Sequence, residues 1–169
     1  MIFLIGYRGT GKTTVARVLA QRLGWKWSDA DSELEAQEGR CISDIFARDG
    51  EAVFRDMEAR VLAELCKLSR HVIATGGGVI LRQRNCERMR LVGQVVWLTA
   101  ELETIWARLQ ADIAAGRKRP ALTTGGREEV EQLLRTREPL YRACADLVVE
   151  TGDRAPEAIA EEIATWVSV

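Results

Sequence analysis

The sequence predicts an α/β fold in which a five-stranded, mainly parallel sheet is flanked by helices. Short apolar runs at 2–5, 27–30, 72–75, 95–98 and 147–150 alternate with longer segments of helical period, the pattern of βαβ units. A glycine-rich turn also lies between the first apolar run and the first helical segment, where such folds place an anion site. With 169 residues and 47% hydrophobic content, the chain can build one sizeable core, so a single domain over 1–169 is expected.

Each element has its own signal. The run Met1-Ile-Phe-Leu-Ile5 passes straight into Gly6, with neither a basic leader nor a small-residue cleavage site. Val15, Val18, Leu19 and Leu23 recur three or four apart, as do Ile159, Ile163, Trp166 and Val167, so both segments read as helices burying one stripe against the sheet. No apolar run is long enough to span a bilayer, and a cytoplasmic location is expected. Basic and acidic side chains number 24 and 25, so no overall field favours nucleic acid or anionic membrane. Cys41, Cys66, Cys86 and Cys144 lack metal-ligand spacing and read as reduced thiols. The one histidine, His71, opens a strand and reads as structural, and the five tryptophans read as packing residues.

Gly6-Tyr-Arg-Gly-Thr-Gly-Lys-Thr13 satisfies GxxxxGK[ST] at every fixed position, after a strand and before a helix. Glycines such as Gly9 and Gly11 let backbone N–H groups, including that of Thr10, converge on phosphate oxygens, and the helix points its positive end at the same anion. Lys12 is placed to reach the β- and γ-phosphates of ATP. Thr13 can offer its hydroxyl to Mg²⁺, while Thr14 is less constrained. The apolar runs at 72–75 and 95–98 end in Thr-Gly and Leu-Thr rather than in the aspartate of a motor-type ATPase, and Asn-Lys-x-Asp is absent, so ATP-driven machines and switch GTPases lose ground.

Asp29 and Asp31 close the second strand, and in extended backbone both carboxylates would share a face. One could hold the metal's water shell and the other accept a proton from an attacking hydroxyl; the alternative is that Asp31 caps a helix over 32–37. The stretch from Asp49-Gly to Glu58 reads as a turn followed by a helix with Phe54, Arg55 and Glu58 on one side. Arg55 suits a substrate carboxylate, or else forms an ion pair with Glu58 on a solvated face. Thr75-Gly-Gly-Gly78 follows the third strand and either lets backbone approach a ligand or makes a tight turn. Residues 115–127 read as a mobile surface loop beside which Arg108, Arg117, Arg119 and Arg137 cluster; a closing lid could bring guanidinium groups to the phosphates, whereas Arg117 and Arg127 read as surface residues.

Together with the phosphate loop, Asp29-x-Asp31, Ile45-Phe-x-x-x-Gly-Glu-x-x-Phe-Arg-x-x-Glu58, Gly76-Gly-Gly78, Arg119-Pro120 and Arg137-x-Pro-Leu-Tyr141 resemble shikimate kinase over nearly the whole chain. This family belongs to the nucleoside-monophosphate-kinase-like P-loop group. The resemblance implies a three-layer P-loop kinase fold with substrate-binding helices inserted at about 31–65 and a mobile lid at about 112–127. It implies ATP-dependent phosphorylation of a hydroxyl of shikimate, with Mg²⁺ as cofactor, and for a compact domain of this size a monomer is expected. Asp31 would be the base, and Arg55 and Arg137 the carboxylate clamp. Gly76, Gly77 and Gly78, with Glu58, would line the substrate pocket, and Phe46 and Phe54 would be its apolar walls. Asp29 would assist the metal through water, Arg119 would lie over the phosphates as a catalytic group with Lys12, and Arg108, Arg154 and Pro156 would border adenine. The lid motif here is Arg119-Pro-Ala-Leu122, where the family commonly has Arg-Pro-Leu-Leu. Two rivals remain open: a related kinase acting on gluconate or another hydroxy acid, and a nucleotide-binding module that has lost turnover.

Overall fold

The computed structural model describes residues 1–115 and 126–167. Its strands are β1 (Ile2–Ile5), β2 (Lys26–Asp29), β3 (His71–Ala74), β4 (Gln94–Thr99) and β5 (Leu147–Glu150). They form one sheet in the order β2-β3-β1-β4-β5, with every neighbouring pair parallel. The described helices are α1 (Lys12–Leu23), α2 (Ala30–Glu38), α3 (Ile42–Leu65), α4 (Gln83–Val92), α5 (Leu102–Ala114), α6 (Gly126–Cys144) and α7 (Pro156–Val167).

The near-continuous apolar runs arise because the central strands are buried on both faces. Side chains alternate across the sheet, so Ile2, Leu4, Val72, Val96 and Leu98 pack with Val15 and Leu19 of α1 and with Ile159 and Ile163 of α7. Phe3, Ile5, Ile73, Val95 and Trp97 pack on the opposite side with Leu34, Phe54, Leu62, Met89 and Tyr141 from α2, α3, α4 and α6. The expected stripes on α1 and α7 are therefore the ones that bury. Gly24, at φ 64°, ends α1 in the left-handed region, and Trp25 N–H donates back to the Ala20 carbonyl at 2.8 Å.

Strand β2 lies at an edge, which leaves Trp27 39% exposed. It ends one residue before the expected boundary, because Ala30 already belongs to α2. His71 is buried at the start of β3, with Nε2 2.9 Å from Ser28 Oγ, and burial holds its imidazole below the ordinary value. That matches its structural reading. All four cysteines are free. Among the described residues, no helix is long and apolar enough to cross a membrane. The expected lid at about 112–127 starts within α5 and ends within α6; Arg117 and Arg119 lie outside the described residues. Arg127 is exposed and pairs with Glu103 and Glu131, as a surface residue.

Candidate active site

The phosphate loop leaves the carboxyl end of β1, where a parallel sheet gathers its ligands. Gly6 has φ 141°, and a Cβ there would run into the Leu98 carbonyl oxygen. Gly9 and Gly11 lie at φ 80° and 85°, so the turn needs glycine for its backbone shape. Thr10 Oγ1 donates to the Tyr7 carbonyl at 2.8 Å and closes the loop on itself. Gly11 caps α1, so the helix presents the positive end of its dipole, beginning at Lys12, to the phosphate loop. Lys12 is 8% exposed, and its Nζ donates to the Gly6 and Tyr7 carbonyls at 2.9 and 2.7 Å. Thr14 is exposed, in keeping with its looser constraint.

The paired aspartates meet the loop, although not by strand alternation. Asp29 is the last residue of β2 and the cap of α2, its Oδ1 accepting from Asp31 N–H at 3.1 Å and Ser32 N–H at 3.2 Å. The cap of this helix is therefore Asp29 and not Asp31, which lies inside the first helical turn. Asp29 Oδ2 also accepts from Thr13 Oγ1 at 2.7 Å, which joins the second strand's end to the phosphate loop. Asp31 opens onto the same cleft of about 340 Å³ as Lys12, Thr13, Arg55 and Arg137.

Helix α3 breaks at Gly50 (φ 82°, ψ 170°), and the second half carries Phe54, Arg55 and Glu58 into the interior. Arg55 and Glu58 are 8% and 5% exposed, and Arg55 Nη1 donates to Glu58 Oε2 at 2.9 Å. The ion pair expected as an alternative exists, but it is buried rather than solvated. Burial raises the Glu58 carboxyl's pKa, with Arg55 pulling it back, and Glu58 Oε1 has no hydrogen-bond partner among the described residues. Glu51, a fixed position of the motif to which no role was attached, accepts from Arg55 Nε at 3.3 Å and Nη2 at 3.1 Å. Phe54 and Phe46 pack at 4.5 Å between centroids and wall this end of the cleft.

Two of the three glycines lie against the charged groups of this cleft. A Cβ on Gly76 would lie 2.7 Å from Asp31 Oδ1 and 2.8 Å from Glu58 Oε1, and one on Gly78 would collide with the Arg55 guanidinium. Thr75 Oγ1 donates to the Leu4 carbonyl at 3.0 Å and anchors the turn to β1. Arg137 of α6 reaches the Gly77 carbonyl at 3.5 Å, and the Tyr141 hydroxyl also donates to that oxygen.

A second cleft of about 390 Å³ lies along the other side of the loop. It is bordered by residues from Gly9 to Thr14 together with Arg108, Arg154 and Pro156. Arg108 donates to the Gly9 carbonyl at 3.1 Å, to Thr151 Oγ1 at 3.2 Å and to the Gly152 carbonyl, so it ties the phosphate loop to the segment after β5. Arg154 is held by Glu162 at 2.6 Å. The two clefts share Lys12 and Thr13, and every described site residue expected from sequence borders one of them.

A family model described as shikimate kinase matches residues 8–168. A shikimate kinase of Rhodopirellula baltica is 42% identical over 163 residues, covering 96% of this chain and 87% of its own. One from Chromohalobacter salexigens is 44% identical, with 96% and 88% covered. The structure of the Acinetobacter baumannii shikimate kinase in complex with shikimate superposes with a TM-score of 0.90 at 36% identity, covering 99% of this chain and 92% of that one. The Bacteroides thetaiotaomicron shikimate kinase gives 0.89 at 29% identity, with 99% and 98% covered. Its phosphate loop, the cleft beside that loop and its similarity across nearly the full length agree: the chain belongs to the shikimate kinase family.

Proposed function

We propose that the chain transfers the γ-phosphoryl group of ATP to a ring hydroxyl of shikimate, giving shikimate 3-phosphate and ADP, with shikimate in the cleft walled by Phe46 and Phe54. The observation that carries this reading is the meeting of Asp31, Arg55 and Arg137 in one cleft with Lys12 and Thr13. Two guanidinium groups suit a planar carboxylate. Asp31 is the group placed to accept the attacking hydroxyl's proton, and the unpartnered Glu58 Oε1 suits a second substrate hydroxyl as donor. Glu51, with a side chain 60% exposed, is held weakly enough for the substrate carboxylate to displace it from Arg55.

Adenine and ribose occupy the second cleft beside Arg108, Arg154 and Pro156, which lets the triphosphate run along the loop towards Asp31. Lys12 then turns from the loop carbonyls to the β- and γ-phosphates, a role that Arg119, outside the described residues, would share. The donor set fits Mg²⁺ held largely by phosphate and water: Thr13 Oγ1 and Asp29 Oδ2 meet at 2.7 Å, and no cluster of three acidic, histidine or cysteine ligands occurs among the described residues. Bound there, Mg²⁺ neutralises charge developing on the transferred group. The balanced charge supports the absence of nucleic-acid or membrane partners, the four free cysteines a cytoplasmic location, and the length of 169 residues a monomeric, single-domain enzyme. Residues of about 31–65 form its substrate-binding insert and those of about 112–127 its lid.

The direct test is Asp31→Asn in a coupled ADP-release assay. Turnover should fall by roughly 10²- to 10⁴-fold, the usual contribution of a positioned base, while ATP affinity changes less than about twofold. Turnover equal to that of the parent would remove Asp31 from the base role. Offering gluconate and quinate in place of shikimate to the parent enzyme tests the rival substrates in the same assay.

A further inference from the structure

Tyr141 is 1% exposed and is held at both ends. Its ring stacks on Trp97 of β4 at 5.6 Å between centroids and 16° between planes. Trp97 pairs in register with Ile5, the last residue before the phosphate loop, so the stack ties α6 to the sheet edge that carries the loop. At the other end, the phenol donates to the Gly77 carbonyl in the turn after β3. Arg137, one helical turn earlier on α6, reaches the same oxygen at 3.5 Å. The intervening Pro139 cannot donate a backbone hydrogen bond within α6, which weakens the helix's own hold on this turn.

The geometry points to Tyr141 as a positioning residue for the acidic substrate: its hydroxyl fixes the Gly77 carbonyl, and so sets the three-glycine turn and the Arg137 guanidinium at one distance from each other. The placement of shikimate between that turn and Arg137 is the reading given above, on which this inference rests. Burial raises the phenol's pKa, so the group stays a protonated donor throughout the neutral range. The Arg137–Gly77 contact, at the outer limit of a hydrogen bond, is the weaker of the two holds. Without the phenol, the carbonyl can turn, and Arg137 can follow it away from the substrate carboxylate.

Tyr141→Phe keeps the ring and its stack while deleting only the donor. The apparent KM for shikimate should rise roughly three- to tenfold, the range corresponding to one hydrogen bond's net worth, while kcat and the KM for ATP stay within about twofold. Both KM values rising together, or a lower Tm with neither changed, would assign Tyr141 to packing alone and overturn the inference. Arg137→Ala and the double variant complete the test. Because the tyrosine acts through the same carbonyl and guanidinium, its effect on the shikimate KM should shrink in the Arg137→Ala background; full additivity would contradict that coupling. If Arg137→Ala leaves the shikimate KM unchanged, the substrate placement itself is wrong and Tyr141 loses its role with it. If Arg137→Ala raises that KM and Tyr141→Phe does not, the placement stands and the positioning role of Tyr141 falls alone.

Discussion

Gly78 has no room for a side chain, because the Arg55 guanidinium occupies the place of its Cβ. Gly78→Ala should therefore push Arg55 off the turn, raising the shikimate KM at least about tenfold and costing about 1–3 kcal/mol of stability by overpacking; steady-state kinetics and thermal unfolding measure the two. Unchanged kinetics would show that Arg55 can move without loss. This crowding was invisible in the three consecutive glycines, which signal only that backbone comes close to something. Asp29 and Asp31 were legible as a pair, yet their division of labour was not. The strand stops at Asp29, whose two oxygens serve the α2 cap and Thr13 separately. Arg55 and Glu58 showed their i,i+3 spacing in sequence, but their burial depends on how α3 packs, which local spacing does not contain.

Helix α3 owes its usefulness to Gly50, whose φ of 82° and ψ of 170° lie in a region nearly closed to side chains. The break lets Phe46, before it, and Phe54, after it, meet across the bend and wall one cleft. Gly50→Ala should cost about 1–3 kcal/mol and raise the shikimate KM with little change for ATP, because among the described residues no α3 side chain lines the cleft proposed for the nucleotide. Equal effects on both substrates would mean that the bend serves stability in general. The turn at Asp49-Gly50 was readable from sequence, and so were β1, β5 and the buried stripes of α1 and α7. Helix α4 gave no comparable signal: only Asn85 and Met89 bury along it, too sparse a pattern for a periodicity argument. Similarly, Tyr141 stood out only as part of a motif, since its work joins α6 to turns far away in sequence.

Across the whole molecule, the parallel sheet brings the ends of β1, β2 and β3 to one edge, so the phosphate loop, Asp29 and the three-glycine turn meet without any of them being long. That convergence follows from the alternating pattern of strands and helices, which is why the fold and most of the site were legible before the structure. What the pattern could not supply was depth. The sequence shows which charges are near in number, whereas the packing of α3 and α6 decides which are buried and paired. The two clefts share Lys12 and Thr13, and the proposed route of the phosphoryl group passes between them at these residues. The most direct test of that route is a crystal structure with shikimate, Mg²⁺ and a non-hydrolysable ATP analogue. We expect the shikimate carboxylate between Arg55 and Arg137, with a ring hydroxyl within about 2.6–3.2 Å of Asp31 and facing the terminal phosphate. Shikimate bound elsewhere, or Asp31 turned away from that phosphate, would contradict the account.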